Sequence, residues 1–313
     1  MEKIKNFKEI IEKLQKNNKS AKMVVIGADN ETILECCRKI KDLKIADSIL
    51  VGDKKKIIEI SSKININISD FNISNIKDEN EISKYSSKLI DDGTANIFLK
   101  GSVELKTMKK TNLDKEIGFT NDNNLSTISL FEINQNKKTR FIIMSDLAIC
   151  PYPTLEDKLT IINNSVKVAH MIGIEKPKVA ILAAIDDVEP KMKETTEADK
   201  LSKMNENGEI KGCIVDGPLS LDLALDTDAC IFNKIKNRKI QGDADILIFQ
   251  DIHSANNVYK ALIHLLKWKS GTIIVGAKLP CIFSSISDNF DVVLNSIILS
   301  IFYHEYVSNK NIL

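Results

Sequence analysis

The chain predicts an α/β protein, with helices layered on mostly parallel sheets. Short apolar runs alternate with helix-patterned segments almost from end to end. Polar residues able to do chemistry follow most of those runs, where the strands of a parallel sheet end and ligands bind. The length of 313 residues suggests two domains or one large one.

Taken in order, Phe7, Ile10, Ile11 and Leu14 recur at helical spacing. Met23–Gly27 reads as a buried strand, with Asp29 able to cap a helix running to about Lys41. Ser48–Gly52 is the next strand, followed by a lysine-rich helix over 53–61. Residues 62–80 read as a surface connection around a short strand. A helix over 81–92 stops at Gly93, the residue type favoured just past a helix end. Ala95–Leu99 is a strand entering Lys100-Gly101-Ser102, and 103–124 is less regular. Ser126–Phe131 and Arg140–Met144 form an antiparallel hairpin around a polar turn. After Pro151 and Pro153, Thr154 and Asp157 open a long helix with a capping-box pattern, ending near Gly173.

The alternation then resumes. Strands are predicted over 179–184, 212–216, 245–249, 271–276 and 281–283. Helices are predicted over 197–205, 221–235, 255–268 and 288–307. The apolar stripe of the last helix (Val292, Val293, Ile297, Leu299, Ile301) needs a core to enter. Two domains follow: 1–136 with 286–313 as the first, and 137–285 as the second, inserted one.

Composition narrows the function. Apolar residues make up 43% of the chain, enough for sizeable cores. The formal net charge is +1, with both signs mixed along the chain, so no overall field draws it to nucleic acid or an anionic membrane. Only three of the 44 basic residues are arginines: Arg38, Arg140 and Arg238. The start is charged from residue 2 and lacks the apolar centre of a signal peptide, and no apolar run is long enough to span a membrane. A cytoplasmic protein is therefore expected. Six scattered cysteines without a CxxC pair read as free thiols, and the dispersed histidines suggest no metal site.

The strand ends carry the candidate chemistry. Lys100-Gly101-Ser102 reads either as a phosphate cradle of outward N–H groups beside an ammonium, or as an ordinary strand–helix turn. The carboxylate of Asp216, before Gly217-Pro218, could hold a substrate group or cap the following helix. In Ser284-Ser285-Ile286-Ser287-Asp288, a hydroxyl could face a developing oxyanion with a carboxylate as base, or Ser287 or Asp288 could be a helix cap. His170 and His253 read as structural or surface residues. These grounds alone reach a small-molecule enzyme.

Three stretches go further: LTIINNSVKVAHMIGIEKPKVAILAAIDDVEPKM with ADKLSKMNENGEIKGCIVDGPLSLDLAL, then ADILIFQDIHSANNVYKALIHL, then GTIIVGAKLPCIFSS. Together they resemble the phosphate acetyl/butyryltransferase family, the butyryl branch above all, over roughly 95–300. The resemblance implies a two-domain, three-layer α/β/α fold like that of the isocitrate/isopropylmalate dehydrogenases, and a homodimer joined through the second domain. It implies the reaction acyl-CoA + phosphate = acyl phosphate + CoA. CoA would be a substrate, with no permanently bound cofactor and no metal.

Residue by residue, Lys100-Gly101 matches the family's phosphate-side loop, and Asp216-Gly217-Pro218 and Gly276-Ala277 also match. Ser285 falls on the serine suited to steadying the oxyanion. Asp288 falls on the aspartate of a Ser-Arg-x-Asp pattern whose arginine is here Ile286. Lys110 stands where the family has another arginine, and Thr120 and Thr127 where it tends to have arginine and histidine. The family's PDIEAGN is Gln250-Asp251-Ile252-His253-Ser254-Ala255-Asn256, keeping Asp251 and Asn256. Three readings follow. In the first, an active acyltransferase uses lysines such as Lys100, Lys110 and Lys278 in place of arginine, with Ser102 completing the loop. In the second, a catalytically impaired relative binds CoA or acyl-CoA as a sensor or partner subunit. The third is another enzyme, such as an oxidoreductase, on the same architecture.

Overall fold

Cap chemistry sets where most helices begin. In the computed structural model, which describes residues 2–17, 21–112, 125–135, 138–284 and 288–310, Asn30 accepts from Ile33 N and opens α2 (Glu31–Asp42). Asp53 opens α3 (Lys54–Lys63) and Asp78 opens α4 (Glu79–Asp91). Each cap satisfies an N–H that the first helical turn leaves without a partner. The expected cap Asp29 is displaced by its neighbour Asn30, and Asp29 serves elsewhere. Among the described residues the chain falls into two compact units, 7–123 with 270–313 and 1–6 with 124–269.

The first unit starts with α1 (Phe7–Asn17), which buries Phe7, Ile10 and Leu14. Its strands are β1 (Ala21–Ile26), β2 (Ala46–Gly52), β3 (Asn72–Asn75), β4 (Ile97–Lys100), β10 (Lys269–Val275) and β11 (Cys281–Phe283). They lie in the order β3-β2-β1-β4-β11-β10. All neighbours are parallel except β10 and β11. Val24, Val25, Phe98 and Leu99 are fully buried, as central strands covered on both faces require. α2 packs on α3 and β2, and α4, which carries the chain back past β1, packs on β1 and β2. The short α5 (Leu105–Lys110) follows β4, in a stretch expected to be irregular. The last helix, α11 (Phe290–Lys310), packs on α1, α2, β1, β4 and β11. Its stripe Val292, Val293, Ile297, Leu299 and Ile301 is buried.

The second unit holds β5 (Ser126–Gln135), β6 (Lys138–Ser145), β7 (Lys178–Leu182), β8 (Ile214–Leu219) and β9 (Ile246–Ile248), in the order β5-β6-β9-β7-β8. β5 and β6 are the expected antiparallel hairpin, and the other neighbours are parallel. Its helices are α6 (Leu155–Met171), α7 (Lys193–Glu206), α8 (Leu221–Leu225), α9 (Thr227–Phe232) and α10 (Ile252–His264). The capping box of Thr154 and Asp157 is present at α6. The single helix expected over 221–235 is two, because Asp226 is extended and accepts from Asp228 N as a new cap.

These units divide the chain differently from the expected boundaries at 136 and 286. β5 stays with β6 because one ladder, Ser129–Met144 to Gln135–Lys138, joins them. β11 stays with the first unit because it pairs with β4, Cys281 opposite Phe98. Among the described residues no helix is long and apolar enough to cross a membrane.

Candidate active site

Each unit has a place where the strand order reverses between parallel strands, and a crevice lies at each. In the first unit, successive strands step from β1 to β3, and the chain then returns to the other side of β1 as β4. Open α/β sheets bind ligands at the carboxyl ends of strands beside such a reversal. A cleft of about 630 Å³ lies there, walled by Asn30, Ile33, Lys100 to Lys106, Ser284 and Asp288.

The loop after β4 is tied down more tightly than an open cradle. Gly101 N donates to Ile26 O at 2.8 Å and Ser102 N to Gly27 O at 2.9 Å. A Cβ on Gly101 would collide with Gly27 O, so glycine here serves the close approach of two backbones. Ser102 Oγ donates to Asp29 Oδ1 at 2.5 Å. These N–H groups and this hydroxyl proton therefore already have partners, contrary to the expectation of outward N–H groups. What the loop presents is Lys100, whose Nζ rests on Gly101 O at 3.0 Å. Burial lowers its pKa from the ordinary lysine value, against the opposing charge of Glu79. Glu79 also holds the start of α5, accepting from Glu104 N at 3.1 Å and Thr107 Oγ1 at 3.2 Å.

On the other wall, Ser284 Oγ donates to Lys100 O at 3.3 Å. Asn289 caps α11, with Oδ1 accepting from Val292 N at 3.0 Å. Asp288 lines the cleft. Ser285, Ile286 and Ser287 lie outside the described residues, as does Thr120. Lys110 is exposed at the end of α5. Gly276 is exposed with φ +96°. Lys278 pairs with Asp91 at 3.4 Å.

In the second unit the chain runs from β7 out to β8 and returns as β9 on the other side of β7. A cleft of about 480 Å³ sits at this reversal. Buried Lys158 donates to Glu197 at 2.7 Å and to Gln250 Oε1 at 2.5 Å. Lys193 adds a second cation 3.3 Å from Glu197. Glu197 lies below its ordinary pKa. Desolvation acts to raise it, and the hydrogen bonds and charges of Lys158 and Lys193 outweigh that. At the mouth, Tyr152 Oη and His253 Nε2 are 2.9 Å apart. Asp251 caps α10, accepting from His253 N at 2.8 Å and Ser254 N at 2.9 Å. Asn256 donates to Leu147 O at 3.4 Å.

Asp216 does not cap the helix that follows, which starts after Ser220. It is buried inside β8 and accepts from Arg238 Nη1 at 3.2 Å and Ile240 N at 3.1 Å. Arg238 also donates to Pro218 O at 2.9 Å and to Asp186 O. Gly217 packs where a Cβ would stand 2.8 Å from Ile181 Cβ, and its bond to Pro218 is cis. The run Asp216-Gly217-Pro218 therefore holds the loop before β9.

Two further features take their role from partners distant in the sequence, Asp146 at a strand end and Lys158 in α6. Asp146 is buried, with its carboxylate accepting from Thr127 N at 2.7 Å and from Ala148 N and Ile149 N at 2.8 Å. Burial raises its pKa, and these backbone donors oppose the shift. Lys158 gave no signal, because a lysine in a helical pattern reads as solvated until its neighbours are known. Among the described residues no cluster of three or more His, Cys, Asp or Glu forms a metal site.

A doubly wound α/β unit with a polar crevice at its reversal of strand order belongs to the class that binds ligands beyond the carboxyl ends of its strands. Within that class, this chain belongs to the phosphate acetyl/butaryl transferase family, whose profile matches residues 6–95 and 83–301. It is 40% identical to a phosphate butyryltransferase of Clostridium acetobutylicum over 297 residues, covering 95% of this chain and 97% of that one. The crystal structure of a branched-chain phosphotransacylase from Enterococcus faecalis V583 aligns with a TM-score of 0.79 at 26% identity, covering 91% and 99% of the two chains. A 4-hydroxythreonine-4-phosphate dehydrogenase from Klebsiella pneumoniae shares the fold, with a TM-score of 0.56 at 9% identity over 91% of this chain and 100% of that one.

Proposed function

We propose that this chain is a phosphate acyltransferase of the butyryl type, catalysing acyl-CoA + phosphate = acyl phosphate + CoA. The observation that carries the reading is 40% identity to a phosphate butyryltransferase along nearly the whole of both chains. The CoA thiolate attacks the carbonyl carbon of the acyl phosphate. The C–S bond forms, the tetrahedral intermediate collapses, and the C–O bond to phosphate breaks. The reverse direction begins with phosphate as nucleophile. Catalysis then needs oriented substrates, an oxyanion donor and a home for one thiol proton.

In this reading Ser285 donates to the oxyanion and Asp288 takes the thiol proton. Lys100 supplies fixed positive charge at the first-unit cleft, and Lys110 and Lys278 are the further lysines that would stand in for arginine. Because Ile286 offers no guanidinium, phosphate is held by point charges rather than a bidentate fork. The enzyme works as a cytoplasmic homodimer joined through the second unit, and CoA is its substrate rather than a resident cofactor. The test is thiol release from butyryl-CoA on addition of phosphate, with butyryl phosphate identified by mass spectrometry. Phosphate-dependent release of one thiol per acyl phosphate is expected. Release that does not depend on phosphate, or none at millimolar substrates, overturns the reading.

A further inference from the structure

One wall of the first-unit cleft is held by a residue outside its lining. α5 is short, and its N-cap residue Glu104 makes no side-chain cap bond. The missing cap comes from another helix. Glu79, the first residue of α4, accepts from Glu104 N at 3.1 Å and from Thr107 Oγ1 at 3.2 Å. In a capping box, the residue three positions into a helix reaches back to the cap N–H. Here that residue is Thr107, and one oxygen of Glu79, 25 positions before Glu104, takes both the cap N–H and the Thr107 hydroxyl. At the other end of α5, Asn112 Nδ2 donates to Ser83 O and to Ser87 Oγ of α4, both at 2.8 Å. Polar bonds from α4 thus place α5. The first turn so placed faces the cleft: Glu104, Leu105 and Lys106 line it together with Lys100.

Glu79 also brings charge. Burial strips Lys100 of part of its hydration, and the anion that opposes this is Glu79. The other charged groups at this end of the sheet are engaged or stand elsewhere in the cleft. Asp29 accepts from Ser102 Oγ and lies 4.0 Å from Lys56. Glu104 and Lys106 are exposed on α5. Asp288 lines the cleft ahead of α11, and Lys278 pairs with Asp91. We propose that Glu79 is a positioning residue of this cleft, fixing the α5 wall through two hydrogen bonds and supplying the anion that keeps the Lys100 ammonium charged. It acts through α5 and Lys100, and the proposal rests on the reading of Lys100 as the cation that phosphate meets.

Two measurements test the role without turnover. Glu79→Gln keeps an acceptor oxygen and drops the charge, whereas Glu79→Ala drops both. Hydrogen exchange at Glu104 N should speed up about tenfold or more in Glu79→Ala, the order of one hydrogen bond to a charged group, and by less in Glu79→Gln. Competitive labelling with trace acetic anhydride, read on the peptide that carries Lys100, gives the pH at which its amine loses its proton. That midpoint should move to lower pH in both variants, because burial then acts unopposed. Thr107→Val, which removes one hydrogen bond and no charge, should leave the midpoint in place. In acyl transfer, the alkaline limb of kcat/KM for phosphate should move with the midpoint. A midpoint unmoved in Glu79→Gln, or Glu104 exchange unchanged in Glu79→Ala, overturns the role. Should Glu79→Ala fail to fold, Glu79→Gln decides through the midpoint alone. An alkaline limb that stays put while the midpoint moves also overturns it, since Lys100 is then not the cation that phosphate meets. If exchange and labelling change as expected but wild type transfers no acyl group, the hold of Glu79 on the cleft stands and the acyltransferase reading falls.

Discussion

Ser102 Oγ donates to Asp29 Oδ1 at 2.5 Å, joining the end of β4 to the end of β1 across 73 positions of sequence. Together with Gly101 N on Ile26 O and Ser102 N on Gly27 O, it closes the floor of the first cleft. The floor is thus an assembled surface, and its glycine answers to packing.

Gly101→Ala should destabilise the protein by about 1–3 kcal/mol, the usual cost of forcing a methyl into a filled space. Ser102→Ala should cost less, about 1 kcal/mol, since it removes one hydrogen bond at an exposed site. Urea unfolding measures both. A Gly101→Ala protein as stable as wild type would show that the close approach of the two backbones is dispensable.

Arg238→Ala should cost about 3 kcal/mol, at the lower edge of what breaking a buried pair costs, because Asp216 keeps Ile240 N while Arg238 is partly exposed. The loop before β9 should open first, which hydrogen exchange at Ile240 would detect. Unchanged exchange there would mean that Asp216 does not hold this loop.

Glu197 gives a pH signature. Its pKa in the folded protein lies below the ordinary glutamate value, so its charged form favours folding. That contribution is complete well above about pH 4.3, the unfolded value, and fades as pH falls through the folded value. Glu197→Gln should therefore be less stable than wild type at pH 7, by roughly 2 kcal/mol, with the gap narrowing below about pH 4. A gap independent of pH would show that packing, and not charge, ties Glu197 to Lys158.

At the serine loop, Ser285→Ala should lower kcat by about 10²–10³ with little change in the KM for CoA, as expected for a donor that acts in the transition state. Ile286→Arg should lower the KM for phosphate by restoring a bidentate donor. If Ser285→Ala retains full turnover, the oxyanion donor lies elsewhere, and Lys100 is the first alternative to test.

The alternation of strands and helices was legible in the sequence because it is local: side-chain direction repeats every two residues in a strand and every 3.6 in a helix. So were the capping box at Thr154 and the core stripe of α11, which depend on neighbours a few residues apart. The strand ends were legible for the same reason, and both clefts lie at them. What those ends do was decided only by tertiary structure. Lys100-Gly101-Ser102 has the composition of a phosphate cradle, yet its donors face Ile26, Gly27 and Asp29, residues that β1 brings alongside β4. Asp216 reads as a ligand or cap until Arg238 folds over it. Lys158 reads as a surface lysine until α7 and the end of β9 enclose it. A hydrogen bond is specified by both of its partners, and when these lie tens of residues apart only the order of the strands determines which donors remain for a ligand.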